Sequence, residues 1–118
     1  MKQPRAYIKN LDVIVDVQII NFNDEVVEVY FNDDADFVEY NFDEVILLEN
    51  TGVSDRYKND IYIGDIITFN NKNYRIVKQN NGGYVAVGKH SIICDIEIPR
   101  GLYEKIGNIY TDEELVEV

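Results

Sequence analysis

The stretch IYIGDIITFNNKNYRIVKQNNGGYVAVG, residues 61–88, contains three β-rich runs separated by two short polar bends. The bends NNKN (70–73) and NNGG (80–83) supply Asn and Gly, which tolerate the positive φ that tight hairpins require. Two further runs follow, SIICDIEI at 91–98 and LYEKIGNIY at 102–110. Five short strands with tight turns are typical of a small barrel or a pair of packed sheets. They predict an all-β architecture for about residues 50–110.

In the first half of the chain, residues also alternate with the period of two that is typical of β-strands. VIVDVQII (13–20) and VVEVYF (26–31) flank the turn-forming NFNDE, and together they predict a β-hairpin. FVEYNF (37–42) and EVILL (44–48) supply one or two further strands. Only TDEELVEV, at 111–118, resembles a helix, because Thr111 can cap it and Glu114 stands where a capping box needs an acid.

Charge is distributed unevenly along the chain. Residues 1–9 carry three bases and no acid, and residues 10–55 carry thirteen acids and no base. Residues 56–118 carry eight bases and nine acids, so the three parts sum to the net charge of −11. Acidity of this kind keeps a protein soluble, or it forms a surface that meets a basic partner. Direct nucleic-acid binding is disfavoured, because phosphate contacts need clustered Lys and Arg.

Size and composition indicate one domain with a true core. At 118 residues and 46% hydrophobic content, the chain can bury enough surface without a metal or disulfide. Its single cysteine excludes an internal disulfide and fits a reducing compartment. The apolar run LDVIVDVQII (11–20) is too short, and too interrupted by acids, to cross a bilayer. We expect a soluble intracellular protein with no membrane association.

No residue pattern predicts catalysis or a cofactor. The acids Asp33, Asp34 and Asp36 lack the glycine and the spacing of a calcium loop, so a solvated turn is the better interpretation. His90 and Cys94 lie four residues apart, which on one strand separates them by about 13 Å. Cys94 is therefore interpreted as a small core residue. We expect no enzymatic activity, no metal site and no cofactor.

Two segments together resemble the YopX family of phage and prophage proteins. The first is LLENTGVSDRYKNDIYIGDII (47–67), which follows a pattern of Asn-Thr-Gly, a later Asp, and Ile-Tyr-x-Gly-Asp-Ile. The second is EKIGNIYTDEELVE (104–117), which resembles the closing Ile-Gly-Asn-Ile-Tyr segment. PRAYIKNLDVIVDV (4–17) is a looser match to the opening segment, with Tyr7 in place of the usual tryptophan. The signature residues are Thr51, Gly52, Asp55, Ile61, Tyr62, Gly64, Asp65, Gly107, Asn108 and Tyr110.

The resemblance implies a fold and a cellular setting, and it implies no catalytic residue. It implies one YopX-like domain over 1–118 with an SH3-like barrel at about 50–110. An acidic β-sheet region or hairpin at 1–49 would pack on the barrel, and a short helical turn would end the chain. It also implies a cytoplasmic location in a bacterial host. Gly52 and Gly64 would supply positive φ or close backbone approach, and Asp55, Asn59 and Asp65 would bond to loop amides.

Two functions remain open. The leading hypothesis is a phage accessory protein that works by binding a protein partner, either itself as a homo-oligomer or a host protein. The alternative is an acidic mimic of nucleic acid that occupies a basic host DNA-binding protein or nuclease. Its contact surface would include Asp24, Glu25, Glu28, Asp33, Asp34 and Asp36.

Overall fold

A computed structural model describes residues 3–31, 37–97 and 99–116. The chain divides into two compact units, Met1–Glu49 and Asn50–Val118. It is all-β, with three antiparallel sheets. Within the described residues, helix is confined to two 3-10 turns, Phe42–Glu44 and Glu113–Val116. No helix in this part of the chain is long and apolar enough to span a bilayer.

The first unit is one five-stranded sheet with the order β4-β3-β2-β1-β5. The hairpin predicted from the alternation is confirmed, because the second strand pairs antiparallel with the third. The four-residue first strand is not predicted by the sequence pattern, and it lies between the second and fifth strands. The strands are β1 (Arg5–Ile8), β2 (Val13–Asn21), β3 (Val26–Tyr30), β4 (Phe37–Asn41) and β5 (Val45–Leu48).

This sheet must curl, because its two edge strands are neighbours in the chain. A flat sheet would separate β4 from β5 by roughly 19 Å. The link from Asn41 to Val45 reaches at most about 14 Å when extended, and it is a tighter 3-10 turn here. A bulge between Val17 and Ile19 in β2 supplies part of the bend. The concave face then holds the core, made of Ala6, Ile8, Val17, Val27, Val29 and Val45.

The second unit contains a two-stranded and a five-stranded sheet. In the larger sheet the order is β11-β10-β9-β8-β12. Its hairpin turns agree with the sequence prediction, since Asn70, Asn71 and Gly82 all have positive φ. The strands of the smaller sheet are β6 (Asn50–Ser54) and β7 (Asp60–Tyr62). Those of the larger sheet are β8 (Asp65–Phe69), β9 (Lys72–Lys78), β10 (Tyr84–Val87), β11 (Ile92–Ile93) and β12 (Glu104–Asn108). Its core cluster is Ile61, Ile67, Tyr74, Ile76, Ala86, Ile96 and Tyr103.

Both five-stranded sheets share one topology. In each, the first strand pairs with the second and the last, so the spatial order is fourth, third, second, first, fifth. The sequence shows no internal repeat that would indicate this. The two sheets therefore reach the same strand order with unrelated side chains.

Four expectations need correction. No closed barrel forms among the described residues of the second unit, because β11 and β12 are left as separate sheet edges. Of the predicted run 91–98, the described residues 91–97 form a strand only at Ile92–Ile93, after which Asp95 accepts a turn hydrogen bond from the Glu97 amide. Cys94 is consequently exposed and is not a core residue. The terminal helix is a single 3-10 turn that begins at Glu113, because so short a segment gains little from α-helical bonds.

Candidate functional site

Thr51 and Gly52 shape the strand that opens the second unit. The Thr51 hydroxyl donates to the Ile61 carbonyl at 2.8 Å and accepts from the Val53 amide at 3.2 Å. Gly52 has φ +80, and its amide donates to the Asn50 side chain at 2.7 Å. The pairing of β6 with β7 changes register between Asn50 and Ser54, and these hydrogen bonds lie within that irregular stretch. Their role in the structure is to fix a turn in the chain.

Asp55 organises the loop that joins β6 to β7. Its Oδ1 accepts from the amides of Tyr57 and Asn59 at 2.9 and 2.8 Å. Its Oδ2 accepts from the Asn59 side chain at 3.2 Å and from the Lys105 amide at 2.9 Å. Burial raises the pKa of Asp55, but the hydrogen bonds from Lys105, Asn59 and Tyr57 outweigh it, so the pKa lies below its usual value.

Asp65 is buried at the start of β8, beside an ammonium group. Its Oδ2 accepts from the Tyr62 amide at 2.7 Å and forms an ion pair with Lys105 Nζ at 3.0 Å. Its Oδ1 accepts from the Asn108 side chain at 3.0 Å. Burial raises the pKa of Asp65, and Lys105 and the hydrogen bonds only partly offset that effect. Both carboxylate oxygens are thus occupied by donors of the chain itself.

Lys105 links the two carboxylates, and the sequence pattern does not single it out. Its amide bonds to Asp55, and its ammonium group pairs with Asp65 and lies 5.6 Å from the centre of the Tyr62 ring. The available signal was weak, namely one base two residues before the signature glycine Gly107. The ion pair couples β12 to β8, which are also paired by backbone hydrogen bonds.

Two glycines allow the closing segment to pack against the first signature. A Cβ at Gly64, which has φ +87, would lie 3.2 Å from the Tyr110 ring. A Cβ at Gly107 would lie 2.7 Å from an oxygen of Asp112. That carboxylate accepts from the Asn108 amide at 3.1 Å. The signature residues therefore form one interlocked structural network, which we call the signature network. Within this network, each oxygen of Asp55 and Asp65 accepts at least one hydrogen bond from the chain itself.

The predicted acidic surface is only partly described. Asp24 and Glu25 are exposed in the turn between β2 and β3, where the Asp24 amide donates to the Asn21 side chain at 3.0 Å. Glu25 has φ 55, and its carbonyl accepts from the Phe42 amide at 2.8 Å. Glu28 is half-buried in β3. The other predicted acids, Asp33, Asp34 and Asp36, lie outside the described residues.

Glu28 directly opposes a second acid that the sequence pattern missed. The register of β3 and β4 places Glu28 across from Glu39, and that of β2 and β3 places Ile19 beside Glu28. Like charges in such cross-strand positions repel. Tyr30 and Phe37 lie on the same side, with ring centres 4.3 Å apart. Side chains alternate along a strand, so this side faces away from the core residues of β3. We call it the acidic–aromatic face, comprising Ile19, Glu28, Tyr30, Phe37 and Glu39.

The described residues hold no cluster of three or more His, Cys, Asp or Glu that could bind a metal ion. His90 is exposed at the tip between β10 and β11, and Cys94 lies beyond β11. Within the described part of the second unit, neither side chain is hydrogen-bonded to the signature network.

Comparison with family models, solved structures and curated proteins shows which known proteins this chain resembles. The sequence model of the YopX family, described as "YopX protein", matches residues 5–117. Among solved structures, the chain is similar to protein EF1440 from Enterococcus faecalis, with a TM-score of 0.70 and 17% identity over 98% of this chain and 97% of that one. At this identity the likeness shows a shared fold. No curated protein has a detectably similar sequence. Because the family match spans nearly the whole length, with both signature segments inside it, the chain belongs to the YopX family.

Proposed function

We propose that this YopX-family chain is a phage- or prophage-encoded accessory protein that acts in the bacterial cytoplasm by binding another protein, and not by catalysis. The partner is a second copy of the chain or a host protein. Membership of the YopX family, a family of phage and prophage proteins, supports the proposed phage or prophage origin of this chain. The carboxylates of Asp55 and Asp65 accept hydrogen bonds from the chain itself, which supports a structural role for the signature network, so the binding surface is sought elsewhere.

The proposal includes an SH3-like assignment for about residues 50–110, in the sense of an open five-stranded sheet. The strand order common to both five-stranded sheets supports it. Such small β-modules present loops and sheet faces to partners while the core stays rigid.

The acidic–aromatic face is the observation that carries the proposal. Ile19 and Phe37 are 50% and 51% exposed in regular strands, beside two carboxylates that repel each other. Aromatic and aliphatic side chains on a sheet face give a partner apolar contact, and charges around them favour a basic partner. A mixed surface of this kind fits a protein partner.

Self-association is tested by size-exclusion chromatography with light scattering over a range of concentrations. We expect a particle larger than the 13.7 kDa chain. An Ile19→Ser/Phe37→Ser double variant should shift it toward the monomer. The matched control is Leu11→Ser, which removes an apolar side chain of similar exposure, 52%, from a turn of the same unit. A wild-type protein that stays monomeric at high concentration would reject self-association.

The host-partner form is tested by affinity purification from the host at two salt concentrations. Proteins retained by the wild type and lost with the Ile19→Ser/Phe37→Ser variant, but kept by Leu11→Ser, would be partners of this face. If every retained protein is also retained by the double variant, this face is not the binding surface.

The acidic mimic is a second candidate, favoured by the Glu28–Glu39 pair. Carboxylates held on neighbouring strands can imitate phosphates and bind a basic host protein. Such binding should weaken steeply as salt rises, and Glu28→Gln/Glu39→Gln should weaken it further. Glu104→Gln, an exposed acid of β12, is the control. Binding that is indifferent to salt and to both changes would exclude the mimic while leaving an apolar interface intact.

A further inference from the structure

A cleft lies between two neighbouring hairpin tips of the second unit. The tip at Asn70–Asn71 joins β8 to β9, and the tip at Lys89–His90 joins β10 to β11. Because β9 and β10 are antiparallel neighbours, both tips lie at the same end of the sheet. The cleft has a volume of about 340 Å³ and is lined by Asn71, Lys72, Asn73, Gly88, Lys89, His90 and Ser91.

The walls of this cleft are fixed by contacts that the signature network does not use. The Gly88 amide donates to the Ser91 carbonyl at 2.8 Å and closes the second hairpin. A Cβ at Gly88 would lie 3.0 Å from the Tyr74 ring, so only glycine lets the tip approach so closely. The hydroxyls of Ser91 and Tyr74 are 2.9 Å apart, and the Asn73 side chain donates to the Leu115 carbonyl at 2.6 Å.

The cleft is cationic in an otherwise acidic protein. Lys72 and Lys89 are exposed, and neither has an ion-pair partner within residues 3–31, 37–97 and 99–116. A second, more open hollow adjoins the cleft and adds Arg75. Among the described residues, no acid lines either hollow. The nearby acids, Glu113 and Glu114, lie on the 3-10 turn that Asn73 contacts, and they line neither hollow.

We propose that this cleft binds the phosphate group of a small, non-aromatic phosphate monoester, such as a sugar or polyol phosphate. Two ammonium groups supply positive charge, and the imidazole, Asn amides and Ser hydroxyl supply hydrogen-bond donors to phosphate oxygens. Its volume lies at the small end of the range for small-molecule sites. Among the described residues, its lining includes no Phe, Tyr or Trp, so apart from the small His90 imidazole it offers no ring on which a nucleobase could stack. This site is independent of the protein-binding proposal.

The test is an NMR titration of the ¹⁵N-labelled full chain at constant ionic strength, with glycerol 3-phosphate, inorganic phosphate, AMP and glycerol as probes. We expect saturable shifts that concentrate at the amides of residues 71–73 and 88–91 with both phosphate and glycerol 3-phosphate, the latter binding more tightly. Glycerol should give none. AMP should bind no more tightly than glycerol 3-phosphate, because no Phe, Tyr or Trp lines the described cleft to stack on a base.

Paired lysine variants separate a built site from general charge. Lys72→Gln/Lys89→Gln should weaken binding by about tenfold or more. Lys58→Gln/Lys78→Gln removes the same charge from exposed positions that line neither hollow and should leave the affinity within about twofold. All four positions are exposed, so the variants should keep the wild-type fold, which their spectra will show.

Three results would overturn the proposal. The first is a set of shifts that do not saturate or are spread over all lysines. The second is an equal loss of affinity in the control variant. The third, tighter binding of AMP than of glycerol 3-phosphate, would overturn the ligand class.

Discussion

The backbone amide of Lys105 donates to Oδ2 of Asp55 at 2.9 Å, across fifty residues of sequence. One carboxylate thus holds its own loop closed and attaches it to a strand near the other end of the unit. The side chain of the same lysine pairs with Asp65 at 3.0 Å. The two most conspicuous acids of the signature are therefore joined through one residue, and their titrations should affect stability in opposite directions.

Asp55→Asn should destabilise the protein by about 1–3 kcal/mol near neutral pH, because an amide nitrogen cannot accept the hydrogen bonds that the carboxylate accepts. The native pKa of Asp55 is lowered, so its stabilising contribution is complete above its unfolded pKa of about 4 and is lost as pH falls through the native pKa. The difference between wild type and variant should therefore shrink on acidification. Urea unfolding followed by circular dichroism, at about pH 7 and about pH 3, measures it.

Glu104→Gln is the control for this change, because it removes an exposed acid next to Lys105. It should alter the free energy of unfolding by less than about 0.5 kcal/mol. A difference between wild type and Asp55→Asn that grows toward low pH would contradict the assigned role of Asp55.

Asp65→Asn should show the reverse pH dependence. The native pKa of Asp65 is raised, so ionising it costs stability as pH rises from the unfolded pKa of about 4 through the native value. The variant lacks this cost, and its destabilisation should be smaller at about pH 7 than at about pH 4. Urea unfolding at the two pH values provides the measurement. A destabilisation that is larger near neutral pH would contradict it.

A double-mutant cycle that combines Asp65→Asn with Lys105→Met measures the coupling energy between these two side chains. Either single change leaves one member of the pair without its ionic partner, whereas the double variant leaves neither. We expect the double variant to be more stable than the sum of the single effects predicts, by about 1–2 kcal/mol. The coupling energy is no larger than this because the Lys105 ammonium group is partly solvated. Strict additivity in urea unfolding would mean that the contact contributes no coupling energy.

Three Gly→Ala changes should form a graded series. Gly101 has neither a positive φ nor a neighbour near its missing Cβ, so Gly101→Ala should change stability by less than about 0.5 kcal/mol. Gly52 has φ +80 in open space, and Gly52→Ala should cost about 1 kcal/mol. Gly64 combines φ +87 with a Cβ position 3.2 Å from the Tyr110 ring, so Gly64→Ala should cost about 2–4 kcal/mol. Thermal and urea unfolding check the order, and any other order would contradict these causes.

Glu39→Gln should stabilise the protein by about 0.2–1 kcal/mol, because it relieves repulsion from Glu28 across the strand pair. The gain should diminish at high salt, where the repulsion is screened. Glu104→Gln, which opposes the uncharged Thr68, should give no such salt-dependent gain. Urea unfolding at two salt concentrations measures both variants. A loss of stability in Glu39→Gln would show that its carboxylate makes a stabilising contact.

Strong local signals made most of the fold predictable. Alternation and Asn/Gly turns identified β2, β3, β9 and β10, because each has a clear apolar face and a turn with positive φ. Arg5–Ile8 was missed, since four residues that include arginine and tyrosine carry no recognisable period. The sequence pattern extends the predicted strand beyond Ile93, because the isoleucines there resemble a strand whether or not a neighbouring strand pairs with them.

The site was harder to anticipate because it depends on distant partners. Asp55 and Asp65 are visible as signature positions, but Lys105 and Glu39 acquire their roles only through strand register. The cleft at Lys72 and Lys89 likewise arises where two hairpins meet, since nothing in either segment alone indicates that their ends are adjacent.

The position of β1 has a consequence for synthesis and truncation. This four-residue strand pairs with β2 on one side and β5 on the other, so residues near the amino end must wait for residues 45–48 before their hydrogen bonds are complete. Deleting residues up to Ile8 would leave β5 without a neighbouring strand in its own unit. A strand of only four residues thus connects β5 to the rest of that sheet.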